Sequence, residues 1–161
     1  MAESIPFRKN TKEGRFDAYL AQEHLNFFHK RPVRGEADTV VYVTALPVGA
    51  YRLLAAVITD NSIYTTVRCH LGDRQPGAAD EKEFLEFLRS LNAHHAFFKY
   101  AMNEEGGLYA DICLPARDDH FDPAMVRMTL NLLVYHLGES YKDIVKWLSV
   151  PGDAERELNG H

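Results

Sequence analysis

Thr39-Val40-Val41-Tyr42-Val43-Thr44-Ala45-Leu46, then Tyr51-Arg52-Leu53-Leu54-Ala55-Ala56-Val57-Ile58-Thr59, then Ser62-Ile63-Tyr64-Thr65-Thr66-Val67-Arg68-Cys69-His70 is the stretch that decides the fold class. Each run is dense in β-branched and aromatic residues, the composition of a strand. Pro47-Val48-Gly49 and Asp60-Asn61 separate the runs and carry turn chemistry. Connections this short force neighbouring strands to be antiparallel, so the stretch reads as a three-stranded meander. Its first part, Val40 to Ile58, is also the longest apolar-rich span. A membrane helix would need about 20 apolar residues without breaks such as Pro47, Gly49 and Arg52, so no membrane span is expected.

Toward the C-terminus, residues 72–79 form a loop. Asp80 is expected as a helix N-cap, with Glu83 completing a capping box. Phe84, Leu85, Phe87, Leu88 and Leu91 then give one apolar stripe, a helix over 81–92. Residues 96–102 read as a strand, Asn103-Glu104-Glu105-Gly106-Gly107 as a hairpin loop, and 108–114 as its partner, closed by Pro115. Asp122 caps the last helix and Pro123 sits at its first position, where a missing N–H costs nothing. Val126, Leu130, Leu133, Val134, Leu137, Tyr141, Ile144 and Leu148 carry that helix over 123–149. Gly138 is expected to mark a kink or a close helix approach.

Toward the N-terminus, Phe16, Tyr19 and Leu20 are spaced as in a short helix ending near Glu23. Asn26 to Val33 reads as a further strand and residues 34–38 as a polar turn. The expected order is α-β-β-β-α-β-β-α, an α+β fold. An antiparallel sheet of about five strands is packed on one face by the helices of 81–92 and 123–149. Residues 1–12 are expected to be a flexible basic lead, 13–150 a single domain, and 151–161 a polar tail that frays.

The 161 residues are 46% hydrophobic and 25% charged, as in ordinary globular proteins. At this length about 70% of the unfolded chain's surface can be buried, so no disulfide or metal staple is needed. The net charge of -5 argues against a protein whose main task is to coat nucleic acid. Charge is uneven, because residues 1–34 hold seven Lys or Arg against four Asp or Glu. That leaves a basic arm on an acidic body. The arm keeps open a nucleic-acid-associated accessory role, although direct binding is not expected on this balance. The acidic body could instead attract a basic partner. The N-terminus lacks the apolar core of a signal peptide, so a cytoplasmic location with reduced thiols is expected. Both Cys69 and Cys113 are expected as buried thiols.

Catalytic signatures are sparse. Among eight histidines, His24 and His29 are five apart, and the adjacent His94 and His95 point different ways. Asp118-Asp119-His120-Phe121-Asp122 is the densest ligand-like segment, and it carries the competing reading of a metal-dependent or other enzyme. It lacks the glycine and terminal Glu of a calcium loop. Cys69 and His70 are neighbours on a strand and face opposite ways. Gly-x-Ser-x-Gly, a phosphate-binding loop and a dinucleotide fingerprint do not occur. No cofactor is expected.

The aromatic residues of the 96–114 hairpin form the other conspicuous group. Phe97 and Lys99 share one face, Phe98 and Tyr100 the other, and Tyr109 lies on the partner strand. One face must be core. The other would suit a protein interface, where Tyr and Phe are enriched. The last helix carries a second apolar set, Met125, Met128, Leu132 and Tyr135, outside its core stripe. Exposing it would leave a patch that monomers rarely tolerate, so a two-fold homodimer is expected through this helix or through Phe98 or Tyr100.

Leu91-Asn92-Ala93-His94-His95-Ala96-Phe97-Phe98-Lys99-Tyr100-Ala101-Met102-Asn103-Glu104-Glu105-Gly106-Gly107-Leu108-Tyr109-Ala110-Asp111-Ile112-Cys113-Leu114-Pro115 resembles the central signature of the YbjN family. That signature runs helix end, Leu-x-x-Asn, a short strand, an acidic turn with Gly, a strand ending in Leu-Pro, then a long helix. The resemblance spans roughly residues 13–148; the N-terminal lead and the Pro76-Gly77 loop lie outside its pattern. It implies a fold like that of type III secretion chaperones, which are small, acidic α+β homodimers that bind segments of other proteins. It implies no catalytic residues. The expected function is therefore a non-enzymatic, chaperone-like or regulatory protein-binding module with an unidentified protein client.

Overall fold

Alternation along the meander sorts its side chains onto two faces, and the computed structural model, which describes residues 11–36 and 38–159, shows which face is core. The strands are β1 His29–Pro32, β2 Val40–Val48, β3 Tyr51–Thr59, β4 Tyr64–Asp73, β5 Lys99–Met102, β6 Gly107–Pro115 and β7 Val150–Pro151. They form one seven-stranded antiparallel sheet in the order β1-β2-β3-β4-β6-β5, with β7 paired to the end of β4. The helices are α1 Thr11–Gln22, α2 Glu81–His94, α3 Pro123–Ile144 and α4 Ala154–Asn159. The class is α+β, as the sequence predicts. The sheet has seven strands rather than about five: β1 lies within the Asn26–Val33 stretch read as a further strand, and the two-residue β7 is an addition the sequence does not predict.

Register brings Tyr42, Val57, Val67 and Ile112 side by side on the core face. Leu46, Leu53, Cys69 and Ala110 share that face, all fully or nearly fully buried. Phe16 of α1, Phe84 of α2 and the inner stripe of α3 (Val126, Leu130, Leu133, Leu137, Tyr141) close over the same core. Asp122 caps α3 as expected, its Oδ1 accepting from the Ala124 N–H at 3.0 Å. The hairpin loop also folds as read, with Gly106 at φ 91°.

Several expectations are corrected. Thr11 and Lys12, assigned to the flexible lead, form the start of α1, and Lys12 is buried; residues 1–10 lie outside the described residues. The tail is not frayed over its described length: Pro151 pairs with Gly72, and α4 packs with Ala154 fully buried. Asp80 does not cap α2. Its carboxylate is drawn instead to the Arg74 guanidinium. The last helix stops at Ile144 rather than 149, followed by a 3-10 turn through Trp147. There Arg74 Nη1 donates to the Trp147 carbonyl at 2.8 Å, and the Trp147 ring stacks on Phe87. A Cβ at Gly138 would meet open space, so no close approach occurs there. Cys69 is buried, but Cys113 is exposed because Ile112 takes the core position beside it.

Candidate functional site

Helical periodicity sets Met125, Met128, Leu132 and Tyr135 at spacings of three and four, so they share one side of α3. That side is opposite the core stripe. The four residues are 44%, 48%, 42% and 75% exposed. The sequence placed them outside the core set, and the structure brings them together as an apolar ridge facing away from the sheet. Exposed Phe97 sits edge-on to Phe98, which stacks on His136 of α3.

The hairpin aromatics divide differently. Phe98 and Tyr100 are only 7% and 1% exposed, so they belong to the core and present no surface to a partner. Neither side chain reaches far enough out to meet a second copy across a two-fold axis. Asn92 at the end of α2 fixes this turn: its Nδ2 donates to the Tyr100 carbonyl and its Oδ1 accepts the Tyr100 N–H, at 2.9 and 2.7 Å. The Tyr100 hydroxyl shares a hydrogen bond with His136 Nε2. Burial pushes the Tyr100 hydroxyl up to about 12. Burial and the neighbouring His95 ring lower His136. A phenol held this far from ionisation, beside a neutral imidazole, is a structural pair and a poor acid–base couple.

On the face away from the core, Arg68 forms a two-pronged bond to Asp111 at 2.9 and 2.8 Å, its guanidinium over the Tyr109 ring. Tyr109 is therefore half-buried under a cation. His70, next to that ring, uses both nitrogens, Nδ1 with Glu157 of α4 and Nε2 with Asp73 at 3.0 Å. Burial opposes the charged ring, but the two carboxylates outweigh it, and the His70 pKa is raised. A histidine with a raised folded-state pKa gives stability that is complete below its unfolded value. That stability is lost as pH rises through the folded value. Resistance to urea is thus expected to fall as pH rises from about 6 through that range, with α4 amides exchanging faster. In His70→Gln this component disappears. An unchanged pH slope in the variant would remove the His70–Glu157 clasp as its source.

The residues behind the enzyme reading do not converge. His120 and Asp119 are exposed neighbours 3.6 Å apart, and Asp122 is committed to its cap. Among the described residues, no three His, Cys, Asp or Glu side chains are grouped to hold a metal. Among them, too, no helix is long and apolar enough to cross a membrane.

One feature escaped the sequence reading. A groove of about 560 Å³ opens beside β2, between α1, α3 and α4. Its walls include Phe16, Leu20, Phe28, Leu130, Val134 and Leu158. His24, at φ 55°, ends α1 and turns the chain so that Leu25 and Phe28 reach the groove. The signal is dispersed over five chain segments, none with a motif. Comparison with protein-family models, with curated proteins and with solved structures returned no match to this chain.

Proposed function

We propose that this protein is a non-enzymatic protein-binding module that acts as a two-fold homodimer, in the chaperone-like manner that the resemblance to the YbjN family implies. The observation that carries the reading is the exposed ridge Met125-Met128-Leu132-Tyr135 on α3. Its three-four-three spacing is that of a helix seam that meets a second helix. Large contiguous apolar patches on a soluble surface mark interaction sites, and a two-fold pairing of identical patches is the commonest closed solution. The catalytic alternative has less support, since its Asp119 and His120 are exposed and Tyr100 and His136 are locked together.

Sedimentation equilibrium at micromolar concentration tests this. The expected mass is about twice 18.3 kDa, falling to the single-chain value when Met128 and Leu132 are changed to Glu or Lys. Both side chains are half in solvent, so the substitutions leave the core intact. A mass of 18.3 kDa with no concentration dependence would defeat the proposal.

A further inference from the structure

The groove beside β2 combines an apolar interior with a cationic rim, on a chain whose net charge is -5. Among the described residues lining it, none is acidic; the charged ones are Arg52 and Arg127, and His29 also lines it. Among the described residues, each arginine has a long, solvent-exposed ion pair, Arg52 with Glu155 at 3.8 Å and Arg127 with Glu23 at 3.6 Å. Such pairs are weak and exchange readily for a better acceptor.

The edge of β2 adds a third element. Val33 N–H donates to the Thr39 carbonyl, which sets the odd-numbered β2 residues to direct their backbone groups toward β1. Pairing with β1 stops at His29↔Val43. The Ala45 N–H therefore points past the end of β1 into the groove that Ala45 lines. Pro47, two residues on, has no N–H, which limits the edge as a template for an added strand.

The geometry points to a binding site for a small amphiphile with one aliphatic tail and one anionic head. The tail would lie against Leu20, Leu130, Val134 and Leu158, and the head would take Arg52 or Arg127. The volume falls within the range of about 300 to 1,000 Å³ usual for small-molecule sites. Arginine pairs with a planar carboxylate through two parallel hydrogen bonds, and it also accepts phosphate. None of Met125, Met128, Leu132 and Tyr135 lines the groove, so the site stands independently of the α3 ridge.

Isothermal titration of the full chain with decanoate, decyl phosphate, decanol and acetate is the test. Decanoate or decyl phosphate is expected to bind one per chain with a dissociation constant on the order of micromolar. Which of the two is tighter identifies the head group. Decanol is expected about tenfold weaker, and whichever of Arg52→Ala and Arg127→Ala removes the head's partner costs the anionic ligand about tenfold, so no loss in either variant would overturn the site. Val134→Trp, which fills the groove, abolishes binding. In the unmodified protein, methyl resonances of Leu20, Leu130 and Leu158 shift on titration, which keeps the test valid if the Trp variant folds poorly. Leu132→Glu on the α3 ridge leaves the affinity unchanged. Equal affinity for decanoate and decanol, shifts confined to Met128 and Leu132, or no binding would overturn the site. So would an extended peptide that moves the Ala45 amide where decanoate does not.

Discussion

Arg74→Ala is expected to lower the unfolding free energy by about 3 to 4 kcal/mol. Arg74 is almost wholly buried, although it lies in the segment joining β4 to α2. Its guanidinium lies 4.4 Å from the centre of the Phe84 ring and 5.9 Å from that of Trp147. A desolvated cation–π contact contributes about 2 kcal/mol. The Trp147 carbonyl that accepts from Nη1 would lose its donor, at a cost of about 1 to 3 kcal/mol. Asp80 is half exposed and rehydrates cheaply, so its pairing adds little. Arg74→Lys keeps the charge but not the planar fork, and should fall between the two. Urea denaturation followed by circular dichroism reads the difference; a loss below about 1 kcal/mol would show that Arg74 is not the joint between α2 and the end of α3.

Much of the sheet was legible because strands and turns write their signals locally. Tyr51–Thr59 was readable to the residue, since turn chemistry brackets it at both ends. The surplus apolar set on α3 was equally readable, because a helix repeats its faces every 3.6 residues whatever it touches. What stayed hidden depends on contacts between distant segments. Lys12 and Arg74 look like solvated charge in the sequence, and only the fold reveals the carbonyls each one meets 50 or 73 positions away. Asp80 has the local signature of a cap, yet a buried guanidinium outcompetes the helix N-terminus for its carboxylate. The polar 151–161 segment carries too few apolar residues to predict packing, but Gly152 fits where a side chain would strike Leu53 and the Leu71 carbonyl. Phe98 and Tyr100 were ambiguous because alternation shows that two faces exist without showing which one the helices cover. The groove was the least legible of all, being a property of how α1, β2, α3 and α4 assemble.

Lys12→Ala is expected to cost about 2 to 4 kcal/mol and to loosen α1 first. The β3–β4 ladder ends at Thr59↔Thr65, so the carbonyls of Ser62 and Tyr64 lie beyond it. Lys12 Nζ donates to both, at 2.8 and 2.6 Å, with Asp60 Oδ1 3.6 Å away. Burial lowers the Lys12 pKa despite Asp60, so the charge itself is held at a cost. The gain comes from the two satisfied carbonyls and from the packed aliphatic stem. Removing the side chain takes away both donors and opens a void beneath α1. Lys12→Met keeps the stem without the donors, and should recover part of the loss. Because α1 supplies Phe16, Tyr19 and Leu20 to the groove, the Ala variant should also bind decanoate more weakly, while the dimer proposed through the α3 ridge should be unaffected. Hydrogen exchange locates the effect: α1 amides should exchange faster in Lys12→Ala while those of β3 and β6 change less. Uniform acceleration across the sheet would mean that Lys12 supports the whole fold rather than the attachment of one helix.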